Sequence, residues 1–427
     1  MPKRGDRIRA PRRDSGWARA TESLENPEFR RVFIGNMAFF LAMGGQAIVR
    51  AWIASRLTDN NLMLGVVSVA MAVPMFFLSP FGGVLADRIE RRSLIIFAQA
   101  LAMVTEAGVL VLLLAGTLEF WHLVVAAALL GCSFPLIMPA RSAIVVDLVG
   151  RKSMGAAMSL NMTGVNVTRV LGPAGAGYLI SLISVEGAYL VNLGLYGVAL
   201  VAMWSVRRLP PPPGGRNESV MKNLVEGFRY LKEDRFVLML LLFGLVPQFL
   251  AMPFQTLSPR FADDVWHQGA SGFGILNAAI GVGAVAGSAY VAVRSQDKGR
   301  LWLMMGSVVA FGVFLAMGVL SSSFWPAVFL VFAANVGASV FSTMNNVAIQ
   351  LVIPDRVRGR VSSFLMMSVS LPLLGSLPVG AYADEVGLQQ AMGHASLLAV
   401  VLAITFFLCS PRLRGLDDRV QTEVARH

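Results

Sequence analysis

Three ionisable side chains stand where an apolar chain least tolerates them. Glu106 lies in the middle of the hydrophobic run 94–115, on one helical face with Gln99 and Met103. Arg169 is central in the run 155–179 and shares a face with Asn166 and Pro173, while Arg50 sits toward the end of the run 31–53, one turn beyond Gln46. A charge in the centre of a bilayer costs roughly 2.5–3.5 kcal/mol on insertion scales, so each position needs a reason. A carboxyl buried in hydrocarbon can take up and release a proton, which makes Glu106 a candidate carrier of a coupling proton. The alternative is a structural acid, protonated or paired with an arginine. Arg169 and Asn166, with Arg50 and Gln46, could offer polar contacts to an anionic or polar cargo. Arg169 could equally pair with Glu106 or with helix-end carbonyls and hold its helix in place. No nucleophile beside a base, acid pair or phosphate loop is evident, so the pattern is not that of an enzyme. His122, His267, His394 and His427 are scattered without metal-ligand spacing, and Cys132 and Cys409 fall inside apolar runs, so neither a metal nor a disulfide framework is expected.

The elements that must position these residues are membrane spans. Of 427 residues, 56% are apolar and 14% charged, a balance that puts the chain in the membrane class. Twelve hydrophobic stretches reach the length of about 18 residues needed to cross the hydrocarbon core. They cover approximately 31–53, 63–86, 94–115, 121–141, 155–179 and 188–206, then 237–256, 271–293, 301–320, 325–346, 360–382 and 389–409. This predicts an all-α membrane protein of two six-helix halves, 31–206 and 237–409, joined by a linker at 207–236 and flanked by tails at 1–30 and 410–427. Lys and Arg decide the orientation. The tails and the loops on their side hold 32 of the 36 basic residues, and the opposite side only Arg56 and Arg260. By the positive-inside rule both termini are cytoplasmic, in a multi-pass protein of the plasma (inner) membrane. The same distribution accounts for the net charge of +11 without nucleic acid. Residues 1–31 are polar and basic, which predicts no cleavable signal peptide.

The linker opens with Pro210 to Pro213, a stiff extended stretch, and continues into 220–232, where apolar residues recur at helical spacing as in a helix lying on the membrane interface. The halves are also related. A shift of 205 positions sets Arg151 on Arg356, Met162 on Met367, and Pro173-Ala174-Gly175-Ala176 on Pro378-Val379-Gly380-Ala381. A further echo joins Pro80-Phe81-Gly82-Gly83, leading to Ala86-Asp87, with Pro378-Val379-Gly380, leading to Ala383-Asp384. Such repeats are expected of transporters with a substrate path between them.

Between the second and third spans stands Gly83-Val84-Leu85-Ala86-Asp87-Arg88-Ile89-Glu90-Arg91-Arg92. Gly83 would let a neighbouring helix approach. Asp87 is an acid at the membrane edge among Arg88, Arg91 and Arg92, able to accept hydrogen bonds from them or from a helix N-terminus. This loop resembles the signature G-x-L-A-D-R-x-G-R-[RK] of the major facilitator superfamily, with Glu90 at the second glycine. The resemblance covers all twelve spans. It implies alternating access by a rocking of the two halves, with the network around Asp87 stabilising the outward-facing state. In the fifth span, Gly164 precedes Gly172-Pro173-Ala174-Gly175-Ala176-Gly177, a pliable, closely packing stretch for an interface between halves. It is similar to the superfamily's exporter-associated motif G-P-x-x-G-G, with Ala176 replacing one glycine. The runs Phe29-Arg30-Arg31, Pro139-Ala140-Arg141-Ser142-Ala143, Glu226-Gly227-Phe228-Arg229-Tyr230-Leu231 and the basic stretch 354–361 look like the branch of enterobactin-type siderophore exporters and macrolide efflux proteins. One departure is Ala127 ahead of Gly131, where proton-coupled drug exporters of the superfamily carry an arginine in span 4.

The resemblance therefore implies a secondary active transporter, a monomer without a bound cofactor, exporting a small organic molecule, hydrophobic or amphiphilic, by proton antiport. An importer or lipid translocator of the same fold, or a non-transporting membrane sensor or interaction protein, are the alternatives.

Overall fold

Asn26 starts the first helix by accepting hydrogen bonds from the backbone N–H groups of Glu28 and Phe29 at 3.0 and 3.3 Å, with Pro27 at the first helical position. A computed structural model describes residues 24–208, 220–294, 299–353 and 367–410, with Gly415 and Arg419; the side chains of Asp87 and of residues 150–153, 220 and 222–224 are outside that description. Among the described residues every regular element is helical. Helices α1 (Pro27–Leu57), α2 (Asn61–Arg88), α3 (Arg91–Leu114), α4 (Phe120–Leu182) and α5 (Val185–Trp204) build the first half. Helix α6 (Val220–Glu233) follows, with Met221, Val225 and Phe228 exposed. The second half comprises α7 (Arg235–Ala251), α8 (Pro253–Arg260) with a π turn over Phe261–Val265, α9 (Gly269–Val293), α10 (Arg300–Leu320), α11 (Phe324–Val352), α12 (Leu371–Leu374), α13 (Ser376–Val386) and α14 (Leu388–Cys409).

Ten of the helical stretches are long and apolar enough to cross a membrane. The two other expected spans behave differently for visible reasons. Residues 155–179 form the second arm of the 63-residue α4, where Asn161, Asn166 and Arg169 lower the apolarity. Asn36 bonds to both Arg141 and Asn161, twenty positions apart in this helical run. A straight helix would separate those two by about 30 Å, so α4 folds back on itself between them. The expected span 360–382 begins in residues outside the description, and its described part breaks at Gly375, which lies against the Phe249 carbonyl. The linker prolines 210–213 and the basic run 354–361 also lie outside the described residues.

The halves meet at the end remote from the N-terminal Pro27. There the second arm of α4 and the start of α9 cross in backbone contact, since a Cβ on Gly177 would run into the Gly274 Cα. Trp52 stacks on Phe273 with ring centroids 6.0 Å apart. The carboxylate of Asp384 on α13 accepts from the backbone N–H groups of Asn61 and Leu62 at 2.8 and 3.0 Å and from the Asn61 side chain at 2.9 Å, capping α2 of the other half. Ser68, Thr256 and Ser376 form a hydroxyl chain at 2.9 and 3.1 Å, Arg56 pairs with Asp263 at 2.9 Å, and Arg260 donates to the Thr58 carbonyl. Toward the other end, the same two helices part: a cavity of about 610 Å³ lies between Thr163–Leu171 of α4 and Val282–Ala292 of α9.

Candidate transport site

Glu106 of α3 is buried in the first half, and two other helices supply its partners. Arg50 of α1 donates to one carboxylate oxygen at 2.5 Å; Gln46 of α1 and Tyr189 of α5 donate to the other at 2.7 and 3.2 Å. Removing two charges from water is costly unless geometry and hydrogen bonds compensate, and here both oxygens are occupied. The expected alternative pairing of Glu106 with Arg169 is not what forms, because Arg50, one turn past Gln46, reaches the carboxylate instead. Gln99, expected on the same face as Glu106, is buried with neither amide atom bonded among the described residues. Arg50 also lines a cavity of about 150 Å³ with Ser68, Gln255, Thr256 and Ala127. The arginine thus stands in the same small cavity as the alanine that departs from the span 4 motif.

Arg169 and Asn166 face a larger cavity, of about 550 Å³, between the halves. Gln248, Met252 and Gln255 of the α7–α8 segment, Ile280 to Ser288 of α9, Phe311 of α10, and Asn335 to Asn346 of α11 complete its wall. Met252 and Gln255 line both this cavity and the small one beside Arg50, which makes them the partition between the two. Of the residues expected around a cargo, Arg169 and Asn166 are therefore together in the large cavity, while Arg50 and Gln46 belong to the Glu106 cluster.

A further buried cation escaped sequence reasoning, standing at the very end of the fourth hydrophobic stretch, 121–141. Arg141 is 3% exposed, lies with its guanidinium over Phe39 at 4.2 Å, and donates to Asn36, which in turn donates to Asn161 at 2.8 Å. Its Nε and Nη2 have no partner among the described residues. The only available signal was its place in Pro139-Ala140-Arg141-Ser142-Ala143, a run singled out for a different reason.

The expected gating loop divides. Arg91 pairs with Asp147, and Arg92 donates to the Trp204 carbonyl at 2.7 Å, both within the first half; Arg88 is exposed, and the Asp87 side chain lies outside the described residues. A Cβ at Gly83 would meet nothing within 4 Å, whereas Gly82 lies against the Pro135 carbonyl, so the close approach sits one residue earlier than expected. The glycine stretch of α4 also serves two partners. Gly164 and Gly172 pack on α1 and Pro173 on Gly44 in their own half; Gly177 faces the other half, and Gly175 faces open space.

The profile of the transmembrane secretion effector family matches residues 17–424. The chain belongs to this branch of the major facilitator superfamily. Among curated relatives, the enterobactin exporter EntS of Shigella boydii is 28% identical over 418 residues, covering 92% of this chain and 95% of its own length, and the protein of that name in Escherichia coli aligns equally well. Two solved folds are similar. A bacterial homolog of the human lysosomal transporter Spinster, inward-facing and unoccupied, superposes with a TM-score of 0.70 at 15% identity, covering 95% of this chain and 98% of that one. The nucleoside transporter NupG gives 0.65 at 15% identity, covering 89% and 98%. The chain is a multi-pass membrane transporter and not an enzyme.

Proposed function

We propose that the protein is a secondary active exporter of a small organic molecule that works by alternating access. The observation that carries this reading is the cavity containing Arg169 and Asn166, lying between two halves that are sealed at one end and parted toward the other. Twelve spans in halves 31–206 and 237–409, with both termini in the cytoplasm of the plasma (inner) membrane and a monomeric chain, complete it. In that orientation the present form opens to the cytoplasm, ready to receive cargo. The exporter-named relatives and the near match of Gly172-Pro173-Ala174-Gly175-Ala176-Gly177 to the exporter motif support the outward direction.

Proton antiport is the proposed drive, with Glu106 as carrier and Arg50 as its counter-charge. The support is a titratable acid in the first half whose guanidinium partner reaches a cavity adjoining the cargo cavity. The test is reconstitution into vesicles with an imposed pH gradient and a panel of siderophores, macrolides and dyes. Gradient-dependent movement of at least one is expected, and movement of none would sink the reading. An importer would accumulate the same probe with the gradient reversed.

A further inference from the structure

We infer that the cargo is an organic anion, an ionised acid whose negative group seats on Arg169. This rests on the reading of the large cavity as the cargo site and adds its charge selectivity. Among the described residues lining the cavity Arg169 is the one ionisable group, and no Asp or Glu is among them. The nearby carboxylate of Glu106 is occupied by Arg50, Gln46 and Tyr189 and does not line the cavity. Arg169 itself makes no hydrogen bond or ion pair among the described residues. A guanidinium inside a membrane protein normally finds a carboxylate or a set of carbonyls, and a lone one that faces a cavity is a receptor for a counter-ion brought from outside. Its planar fork of donors suits a carboxylate or another flat oxyanion better than a point charge would.

The rest of the wall is consistent with such a cargo. Several polar groups are already committed: Ser339 donates to the Ala284 carbonyl at 2.6 Å and Asn335 to the Val331 carbonyl at 2.8 Å. The side chains of Asn166, Gln248, Gln255 and Asn346 bond to nothing among the described residues and remain to recognise neutral polar groups of the cargo. Phe254, Phe311 and Met252 supply an apolar wall. A lipophilic cation finds no acid here and meets Arg169 head-on, so the cavity disfavours the cationic amphiphiles that many efflux proteins accept.

The test uses full-length protein in proteoliposomes and three fluorescent probes of one scaffold: dansylglycine, its neutral methyl ester, and cationic dansylcadaverine. Wild type should move the acid with an apparent affinity about tenfold higher than the ester, and the cation least. Arg169→Gln should erase that preference, Arg169→Lys should keep part of it, and Arg169→Glu should invert it toward the cation. Equal handling of all three by wild type, or an acid preference that survives Arg169→Gln, would overturn the charge assignment while leaving the exporter reading intact. Movement of no probe by any of the four proteins would count against both.

Discussion

At the residue scale, the ion pair Arg50–Glu106 makes the sharpest demands. Deleting one member strands the other, and breaking a buried pair costs about 3–5 kcal/mol. Arg50→Ala should therefore lower the melting temperature in detergent more than the double change Arg50→Met with Glu106→Leu, which removes both charges. Glu106→Gln keeps the shape and the bond capacity toward Gln46 and Tyr189 but cannot release a proton. It should lose pH-driven export while retaining cargo exchange down a concentration gradient, and unchanged transport at every pH would remove Glu106 as carrier. Arg141→Lys tests the other buried cation: an ammonium cannot lie flat on the Phe39 ring as a guanidinium does, so a lower melting temperature is expected with little change in charge. The sequence announced Glu106 and Arg169 because an ionisable group within eighteen apolar residues is conspicuous. It could not announce which arginine takes Glu106, since that depends on how α1 and α3 are rotated against each other, and hydropathy is silent on rotation. Arg141 escaped because Pro139 and the polar residues after it resemble the end of a span, whereas the helix runs on past it.

At the element scale, most spans were readable because continuous apolar runs of this length leave a membrane chain little choice but helix. The less legible elements line the path between the halves. The second arm of α4 carries Asn161, Asn166 and Arg169, and the eleventh expected span, 360–382, is broken at Gly375; both trade apolarity or continuity for a wall that faces a cavity or a gate. The glycine motif was legible as a motif but not as a division of labour, because which face of a helix meets which neighbour is a tertiary fact. Gly177 is the member on which closure depends. A side chain there has no room against Gly274, so Gly177→Val should hold the crossing open. Expression should persist and turnover fall by about tenfold, if wedging the crossing costs about 1–3 kcal/mol as overpacking generally does. Normal turnover would show that the halves close without this contact.

At the scale of the whole molecule, the closed end joins an apolar core, in which Trp52, Ile53 and Ile180 of the first half pack with Phe254, Phe261 and Phe273 of the second, to small, specific polar contacts. Asp384 is the clearest of them, placing a carboxylate of one half on the helix N-terminus of the other. Asp384→Asn keeps an acceptor but removes the charge, which at a helix start is worth about 0.3–1 kcal/mol. The balance should move severalfold toward the form open at that end. Spin labels at Ser55→Cys and Ser271→Cys, in a background without Cys132 and Cys409, should report a longer distance; an unchanged distribution would assign the seal to its other contacts. The sequence echo between Ala86-Asp87 and Ala383-Asp384 marked a repeat, but only the three-dimensional arrangement gives Asp384 its partner. The solitary charge on Arg169 has a consequence for membrane voltage. An empty cavity carries one positive charge and a cavity filled by a monoanion carries none, so the loaded stroke moves no net charge across the field. The empty return stroke does, and a cell interior held negative favours it by up to about 2.3 kcal/mol per charge for each 100 mV. If Glu106 returns protonated, two charges travel together. At saturating cargo, export should therefore speed up as a potassium diffusion potential makes the tail side more negative, and the steepness of that response would count the charges on the return stroke.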